Sequence, residues 1–308
     1  MIFNVNSGAG KQPVNTVPAT ASAFTYDGSA KEPLWQNFDP EQLTIGGVTS
    51  AIDAGTYTVY FTPKADYEWW DGTTTPKEVT WSIAKAVGSL SLSASSGAIT
   101  GVKGGNKTFT VTRAGDGAIS ASSGNTSVAT VSVSGTTVTV TPKGYGTATI
   151  TVSVAEGANH TAPGSMTYTI TVDYCYLLNG SNQNTALTGG WIKDENFTVW
   201  GEGVSKVATF DSNGMHFTSS TRIMRPANYI SLANYTKLYV EVTSIQVQLV
   251  VSVMNRTSGD VGTQYSARVM PETTGTFSID VSGLNGSYYI CVASSQGCQA
   301  TVRKVYLA

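Results

Sequence analysis

The chain has 308 residues, of which 12% are charged, and its formal net charge is −2 at pH 7. Recognition of nucleic acid normally requires a basic face that neutralises phosphates, so this charge balance argues against a nucleic-acid partner. Residues 1–6 lack the basic and apolar regions of a secretory signal, and no stretch is apolar over the roughly 18 residues that a membrane span needs. We therefore expect a soluble chain that is made in the cytosol and has no membrane partner.

The composition favours short strands joined by tight turns. Charged residues are scarcer than in an average globular protein, and serine, threonine, asparagine and 32 glycines make up the difference. The length is sufficient for two or three domains. Strand patterns and turn signals divide the chain into a leader at 1–11, a first segment at 12–86, a second at 87–173 and a third at 174–308.

Alternation of hydroxyl and apolar side chains marks the strands. Residues 147–154 read TATITVSV, and the same period returns at Tyr57, Val59 and Phe61 and throughout the third segment. Because successive side chains of a strand point to opposite faces, such runs bury one face and leave the other in water. The sequence therefore predicts an all-β fold of two small sandwiches followed by a larger jelly roll.

Two segments carry motifs of known modules. The first has YDGSAK at 26–31, DAGTYT at 53–58, YEWWDG at 67–72 and WSIAKA at 81–86, in an order that resembles bacterial Ig-like modules of the MBG type. The second has SVATV followed by VTVTPKGYGTATI at 138–150, and it resembles bacterial Ig-like domains of group 2. These resemblances imply two tandem Ig-like β-sandwiches, which mostly act as spacers and displayed surfaces.

The third segment and the leader point to a phage setting. TGGW at 188–191, ISLANYTKL at 230–238 and DVSGL at 280–284 resemble galactose-binding-type jelly rolls at the ends of phage and prophage structural proteins. The leader, MIFNVN at 1–6, is similar to the start of tail-associated proteins of phages that infect Gram-positive gut bacteria. The combined order implies a virion protein, assembled in the host cytoplasm and then extracellular.

The resemblances also imply partners. We expect the N-terminal end to bind other virion proteins and the third segment to bind bacterial surface glycan. Virion symmetry suggests a homo-oligomer, with a trimer as the working hypothesis. The alternatives are a purely architectural capsid or tail decoration protein, a bacterial surface adhesin and a glycoside hydrolase.

Histidine-dependent chemistry is not indicated. His160 and His216 are the only histidines, they fall in different segments, and neither has a second His or Cys at ligand spacing. A Ser-His-Asp or Cys-His arrangement also needs its base beside the nucleophile. We expect no catalytic residues, no metal and no cofactor.

Paired carboxylates keep the hydrolase alternative open. Asp194, Glu195 and Glu202 lie close in sequence to two tryptophans. Two acids on a β scaffold can cleave a glycosidic bond when they are held roughly 5 to 10 Å apart. A solvated loop is the other interpretation of this cluster.

Aromatic side chains are the main candidates for ligand binding, because a flat exposed ring offers an apolar face to a sugar. The candidate carbohydrate-binding residues are Trp191, Trp200, Arg222, Arg225 and Tyr229. The alternative is that the tryptophans fill the jelly-roll core. Trp69 and Trp70 are adjacent on a predicted strand, so one ring should be buried and the other exposed, where it could form a protein interface.

Two smaller features, the cysteines and a DSNG sequence, have structural interpretations. Cys175, Cys291 and Cys298 are expected to be reduced, although a bridge between Cys291 and Cys298 is an alternative if they flank a hairpin. The DSNG sequence at 211–214 offers few of the oxygens that a calcium site needs, so we interpret it as a turn.

Overall fold

The computed structural model describes residues 10–201, 206–218, 223–295 and 297–308. These residues form 28 strands and one four-residue helix, which confirms the predicted all-β fold. No helix in this part of the chain is long and apolar enough to cross a membrane. Most of the predicted leader lies outside the described residues.

A mixed four-stranded sheet forms one layer of the first segment. The strands are β1 Gln12–Val14, β2 Phe24–Thr25, β3 Leu43–Gly47, β4 Gly55–Pro63, β5 Tyr67–Trp69 and β6 Lys77–Ala84. The sheet has the order β2-β6-β4-β3, while β1 and β5 form a separate parallel pair. Val14 and Trp69 of that pair pack against Phe61 and Trp81 of the sheet. The second layer is therefore a strand pair with loops rather than a complete sheet.

The second segment is a sandwich of two four-stranded sheets. Its strands are β7 Ser89–Leu92, β8 Ser96–Thr100, β9 Lys107–Ala114, β10 Ile119–Ser123, β11 Ala129–Ser134, β12 Thr137–Pro142, β13 Gly146–Val154 and β14 Met166–Asp173. One sheet has the order β10-β13-β14-β8 and the other β11-β12-β9-β7. The apolar residues predicted from the alternation at 147–154 are all buried in β13. Gly135 lies in the hairpin turn between β11 and β12 with a φ of 58°, which a glycine adopts without strain.

The third segment has two larger facing sheets. Its elements are β15 Cys175–Asn179, α1 Thr185–Thr188, β16 Trp191–Lys193, β17 Phe197–Thr198, β18 Thr209–Asp211, β19 Gly214–Phe217, β20 Ile223–Pro226, β21 Ile230–Ser231, β22 Lys237–Gln246, β23 Leu249–Met254, β24 Gly259–Asp260, β25 Ala267–Val269, β26 Gly275–Asp280, β27 Ser287–Ser294 and β28 Gln299–Leu307. One sheet has the order β18-β19-β28-β22-β26 with β15 beside β28, and the other has the order β16-β20-β27-β23-β25 with β21 beside β27. In the described part of the chain, no sheet combines strands of two segments. The exact segment boundaries stay predictions.

The second of these sheets is buried on both faces. All six residues of β23 are buried. Leu249, Val251 and Val253 face the main core between the two sheets, whereas Val250 and Met254 belong to a second, smaller core on the outer face. The segment around β17 and β24 covers this outer core. The sequence pattern predicts only the inner face, because a period of two does not reveal what covers the other side.

Hydrogen bonds join the first and second segments. The Asn159 side chain accepts from Ala54 N at 2.8 Å and donates to Asp53 Oδ1 at 2.9 Å. The ammonium of Lys85 donates to Gly157 O at 2.7 Å. These contacts join residues that are 72 to 106 positions apart in the chain, so they restrict the angle between the two modules.

Tyrosine rings join the second and third segments. Tyr145 of the second segment stacks on Tyr174 with ring centroids 4.1 Å apart. Tyr174 in turn contacts Tyr306 at 4.9 Å, and Tyr306 stacks on Tyr239 at 5.0 Å. Aromatic pairs at these separations stabilise a contact beyond the area that they bury. The outer face of the β15-β28-β22 sheet is therefore bound to its neighbouring module.

We expect Val250→Ala and Val251→Ala each to lower the free energy of unfolding by about 1–3 kcal/mol, because each leaves a cavity in one of the two cores. Val207→Ala, at an exposed position, should change it by less than about 0.5 kcal/mol. Urea titration of the three variants provides the measurement. A value for Val250→Ala equal to that for Val207→Ala would show that the outer face is not a core.

We expect Asn159→Ala to destabilise the protein by about 1–3 kcal/mol, because the Ala54 amide loses its acceptor. Asn106→Ala removes an exposed asparagine for which the described residues show no side-chain hydrogen bond, and it serves as the control. Chemical denaturation monitored by tryptophan fluorescence measures both. Equal stabilities of the two variants would contradict a structural role for this junction.

Candidate functional site

Trp191 lies in the core, so its predicted role as an exposed sugar platform is wrong. Its side chain is 5% exposed, and its Nε1 donates to the backbone oxygen of Leu177 at 3.2 Å. It pairs with Pro226 across β16 and β20, which points the ring inward between the two sheets. The alternative interpretation, that a tryptophan fills the jelly-roll core, is the one that the structure supports for this residue.

Arg225 is held in an ion pair rather than presented to solvent. Its Nε donates to the carboxylate of Asp194, which is 2% exposed. Its Nη1 donates to Pro226 O at 2.8 Å, and its guanidinium carbon lies 4.2 Å from the centre of the Tyr289 ring. Because these contacts occupy the guanidinium, Arg225 acts as an internal support and not as the predicted ligand contact.

Tyr229 remains exposed and rests on this support. Its ring centroid lies 3.9 Å from that of Tyr289. A hydrogen bond with Tyr229 raises the pKa of Tyr289 above its ordinary value. Phe197 packs edge-on against the same Tyr289 ring at 6.0 Å. The sequence analysis did not single out Tyr289. It precedes the apolar Ile290 in a predicted strand, so the alternation of strand side chains could have placed its ring on the outer face.

Trp200 is exposed, as a role in sugar binding requires, and it does not fill the core. Its side chain is 44% exposed and its backbone adopts a φ of 51°, which is uncommon for a residue with a side chain. Asp260 Oδ1 accepts from Trp200 N at 3.1 Å and from Gly262 N at 2.7 Å. One carboxylate oxygen thus fixes the loop that carries the indole ring. A Cβ atom on Gly262 would lie 3.2 Å from Trp200 Nε1, so the glycine allows this close approach.

Tyr265 and Arg268 extend the surface around Trp200. Tyr265 is exposed, and the Arg268 guanidinium carbon lies 4.1 Å from the centre of its ring. Arg268 Nη1 also donates to Gly262 O, which lies beside the indole. We call Trp200, Asp260, Tyr265 and Arg268 the Trp200 surface. The sequence analysis did not single out its last three members, because the 255–270 region has no strand alternation to draw attention to them.

The carboxylates proposed for hydrolysis do not come together as a pair in the described residues. Asp194 is buried against Arg225, whereas Glu195 is exposed and forms an ion pair with Lys193 at 2.5 Å. Glu202, the third carboxylate, and Arg222, a predicted sugar contact, both lie outside the described residues.

The paired tryptophans of the first segment divide as predicted. Trp69 is fully buried and donates through Nε1 to Thr75 O at 2.8 Å, while Trp70 is 54% exposed. The Lys77 ammonium lies 5.6 Å from the Trp70 ring. Trp69 is therefore unavailable to a partner, and a role for Trp70 in an interface stays a prediction.

The remaining candidates have structural roles. Cys291 lies in the small outer core and Cys298 in the main core, and both are free thiols, so the alternative of a bridge between them is wrong. Burial raises the pKa of the Cys291 thiol. Asp211 Oδ1 accepts from Asn213 N at 2.7 Å in the predicted turn, which joins β18 to β19, and it also contacts His216 Nε2 at 2.7 Å. Within the described ranges, no group of three or more His, Cys, Asp or Glu residues could hold a metal ion.

No protein-family model and no curated protein matches the chain. Among solved structures, domains 4 and 5 of the S-layer protein SbsC are 16% identical, with a TM-score of 0.26, over 50% of this chain and 98% of that one. A longer SbsC fragment, domains 4–9, is 13% identical with a TM-score of 0.27; the match covers 94% of this chain and 46% of the fragment. A structure of carbohydrate-binding modules from the β-sandwich superfamily is 10% identical, with a TM-score of 0.21, over 72% and 96% of the two chains. Similarities this low carry no functional information.

We expect Arg225→Ala to destabilise the protein by about 3–5 kcal/mol, because it leaves the Asp194 carboxylate buried without a cation. Arg303→Ala is the control, because Arg303 is half-exposed and Glu241 keeps Lys304 at 2.9 Å as its cation, so the loss should be at most about 1 kcal/mol. Urea denaturation of both variants gives the comparison. Similar losses would show that the Arg225 pair is no more important than a surface contact.

Proposed function

We propose that this chain is a non-enzymatic display protein that binds bacterial surface carbohydrate through the Trp200 surface. The observation that carries the proposal is the exposed indole of Trp200 in a loop held by Asp260. Arg268 donates to Gly262 O next to this loop and lies over the exposed ring of Tyr265.

The chemistry of the Trp200 surface suits a sugar. The faces of the Trp200 and Tyr265 rings can cover the apolar face of a pyranose, while polar groups at their edges can form hydrogen bonds with hydroxyls. Arg268 retains donors beyond the one that it gives to Gly262 O, and it stacks on Tyr265, so its guanidinium is oriented in advance. Little side-chain entropy remains to be lost when a ligand binds.

The setting that we propose is a bacteriophage virion, where the protein is a tail-associated fibre or a decoration protein. The N-terminal end would contact other virion proteins, and the two Ig-like segments would hold the third segment away from the particle. The hydrogen bonds at Asn159 and the tyrosine stack at Tyr174 support a spacer of restricted geometry. Several copies, as in a trimer, would raise the effective concentration of a weak site. Mass spectrometry of purified virions from a lysogen that carries the gene tests this setting.

We expect Trp200→Ala to weaken binding of the full chain to Gram-positive cells and to arrayed glycans by about tenfold or more, the loss typical of a central aromatic contact. Arg268→Ala should weaken it in the same direction. Trp70→Ala is the matched control, because it removes a comparably exposed indole from the first segment. Binding is measured by flow cytometry of labelled protein and on a glycan array, after circular dichroism has shown that each variant is folded.

A purely architectural role is the second candidate, and the contacts that join neighbouring segments favour it. If the wild-type chain binds neither cells nor any glycan, the carbohydrate proposal fails and the architectural role remains. If Trp70→Ala abolishes cell binding while Trp200→Ala does not, the contact lies in the first segment, and the assignment to the Trp200 surface is wrong.

A further inference from the structure

A cavity of about 240 Å³ lies where the second and third segments meet, away from the Trp200 surface. Its lining residues are Thr100, Tyr174, Cys175, Tyr176, Asn179, Asn182 and Asn184. Thr100 comes from the end of β8 in the second segment, whereas the others belong to the start of the third. The cavity therefore lies at the junction, with most of its lining on the third segment.

Tyrosine rings form the apolar part of the cavity. Tyr174 and Tyr176 meet edge to face with centroids 6.1 Å apart. Tyr306 contacts both rings, at 4.9 Å and 5.5 Å, and Tyr145 stacks on Tyr174 from the other segment. These contacts hold the rings in place before any ligand arrives.

Asparagine side chains form the polar part. Asn184 Nδ2 donates to Tyr176 O at 2.6 Å, and Asn182 Oδ1 accepts from Asn184 N at 2.9 Å. Backbone hydrogen bonds between Asn179 and Asn182, at 2.8 and 3.1 Å, fix the turn. Among the described residues, no protein group pairs with the side-chain amide of Asn179 or with Nδ2 of Asn182. At the cavity, these groups provide two NH2 groups, with four N–H donors between them, and one carbonyl oxygen that accepts, all on a backbone that is already ordered.

We propose that this cavity binds one neutral sugar residue of a glycan, with Tyr174 and Tyr176 against the ring and Asn179 and Asn182 on its hydroxyls. A side-chain amide both donates and accepts, which matches a hydroxyl group, whose oxygen does the same. None of the seven lining residues is charged. A carboxylate or a phosphate would therefore lose its hydration without gaining a counter-charge, which disfavours acidic ligands.

This site and the Trp200 surface are independent. Tyr176 lies on β15, beside β28 in the first sheet of the third segment, whereas the Trp200 surface covers the second sheet. Two weak contacts on one chain would raise the affinity for a polymer that reaches both, if the geometry allows simultaneous binding. A cell-wall polysaccharide presents many such residues.

The test is titration of the ¹⁵N-labelled full chain with D-galactose, D-glucose and N-acetylglucosamine, followed by NMR. We expect saturable shifts of the side-chain amide signals of Asn179 and Asn182 with at least one of these sugars. Glucuronic acid should cause weaker shifts, because the lining offers no cation. Asn179→Ala should weaken the affinity about three- to tenfold, since it removes one or two hydrogen bonds. Asn106→Ala should leave the affinity unchanged.

The possible results separate this proposal from the proposed function. Shifts confined to the Trp200 surface, or shifts at Asn179 that do not saturate, would overturn the cavity proposal and leave the proposed function intact. Saturable shifts at Asn179 and Asn182 that Trp200→Ala does not abolish would support the cavity even if cell binding fails. Tyr176→Phe keeps the ring and should retain binding, whereas Tyr176→Ala should lose it. Equal effects of these two variants would argue against a ring contact.

Discussion

Burial of both faces of the β20-β27-β23 sheet is the constraint on which the candidate surface depends. The inner face packs in the jelly-roll core through Val251, while the outer face packs through Val250 against the segment around β17 and β24. The loops that cover this outer face carry Trp200 and Tyr265 to the solvent. Without the small outer core those loops would have no apolar anchor, and the orientation of the two rings would not be fixed.

The Asp194–Arg225 pair supports Tyr229 on the same outer side of the sheet. A buried carboxylate and guanidinium gain little net stability, because the loss of hydration offsets much of their attraction. Their value here is positional: Arg225 lies against the Tyr289 ring, and Tyr289 supports the exposed Tyr229. Two exposed aromatic positions, Tyr229 and Trp200, are thus supported by the outer side of one sheet, each through its own polar anchor.

The contacts between the segments differ in chemistry, but both junctions restrict the angle between neighbouring segments. Hydrogen bonds at Asn159 join the first two segments, and stacked rings from Tyr145 to Tyr239 join the last two. Hydrogen bonds are directional, whereas aromatic stacking tolerates small rotations, so the first junction should fix the angle more tightly than the second. The second junction also borders the cavity at the start of the third segment, so the contact that spaces these modules lies beside the proposed sugar site.

The sequence alone determined the strands and their inward faces, because alternation with period two is a local property. It therefore predicted the buried side chains of β13 and the opposite orientations of Trp69 and Trp70. The tertiary structure decided which polar faces became covered and which aromatic residues became exposed. Trp191 follows a glycine pair, which favoured exposure, but the pairing of β16 with β20 places its ring between the sheets. Trp200 is exposed because Asp260, 60 residues away in the chain, holds its loop. Such contacts form between residues far apart in the chain, and the local pattern contains no information about them.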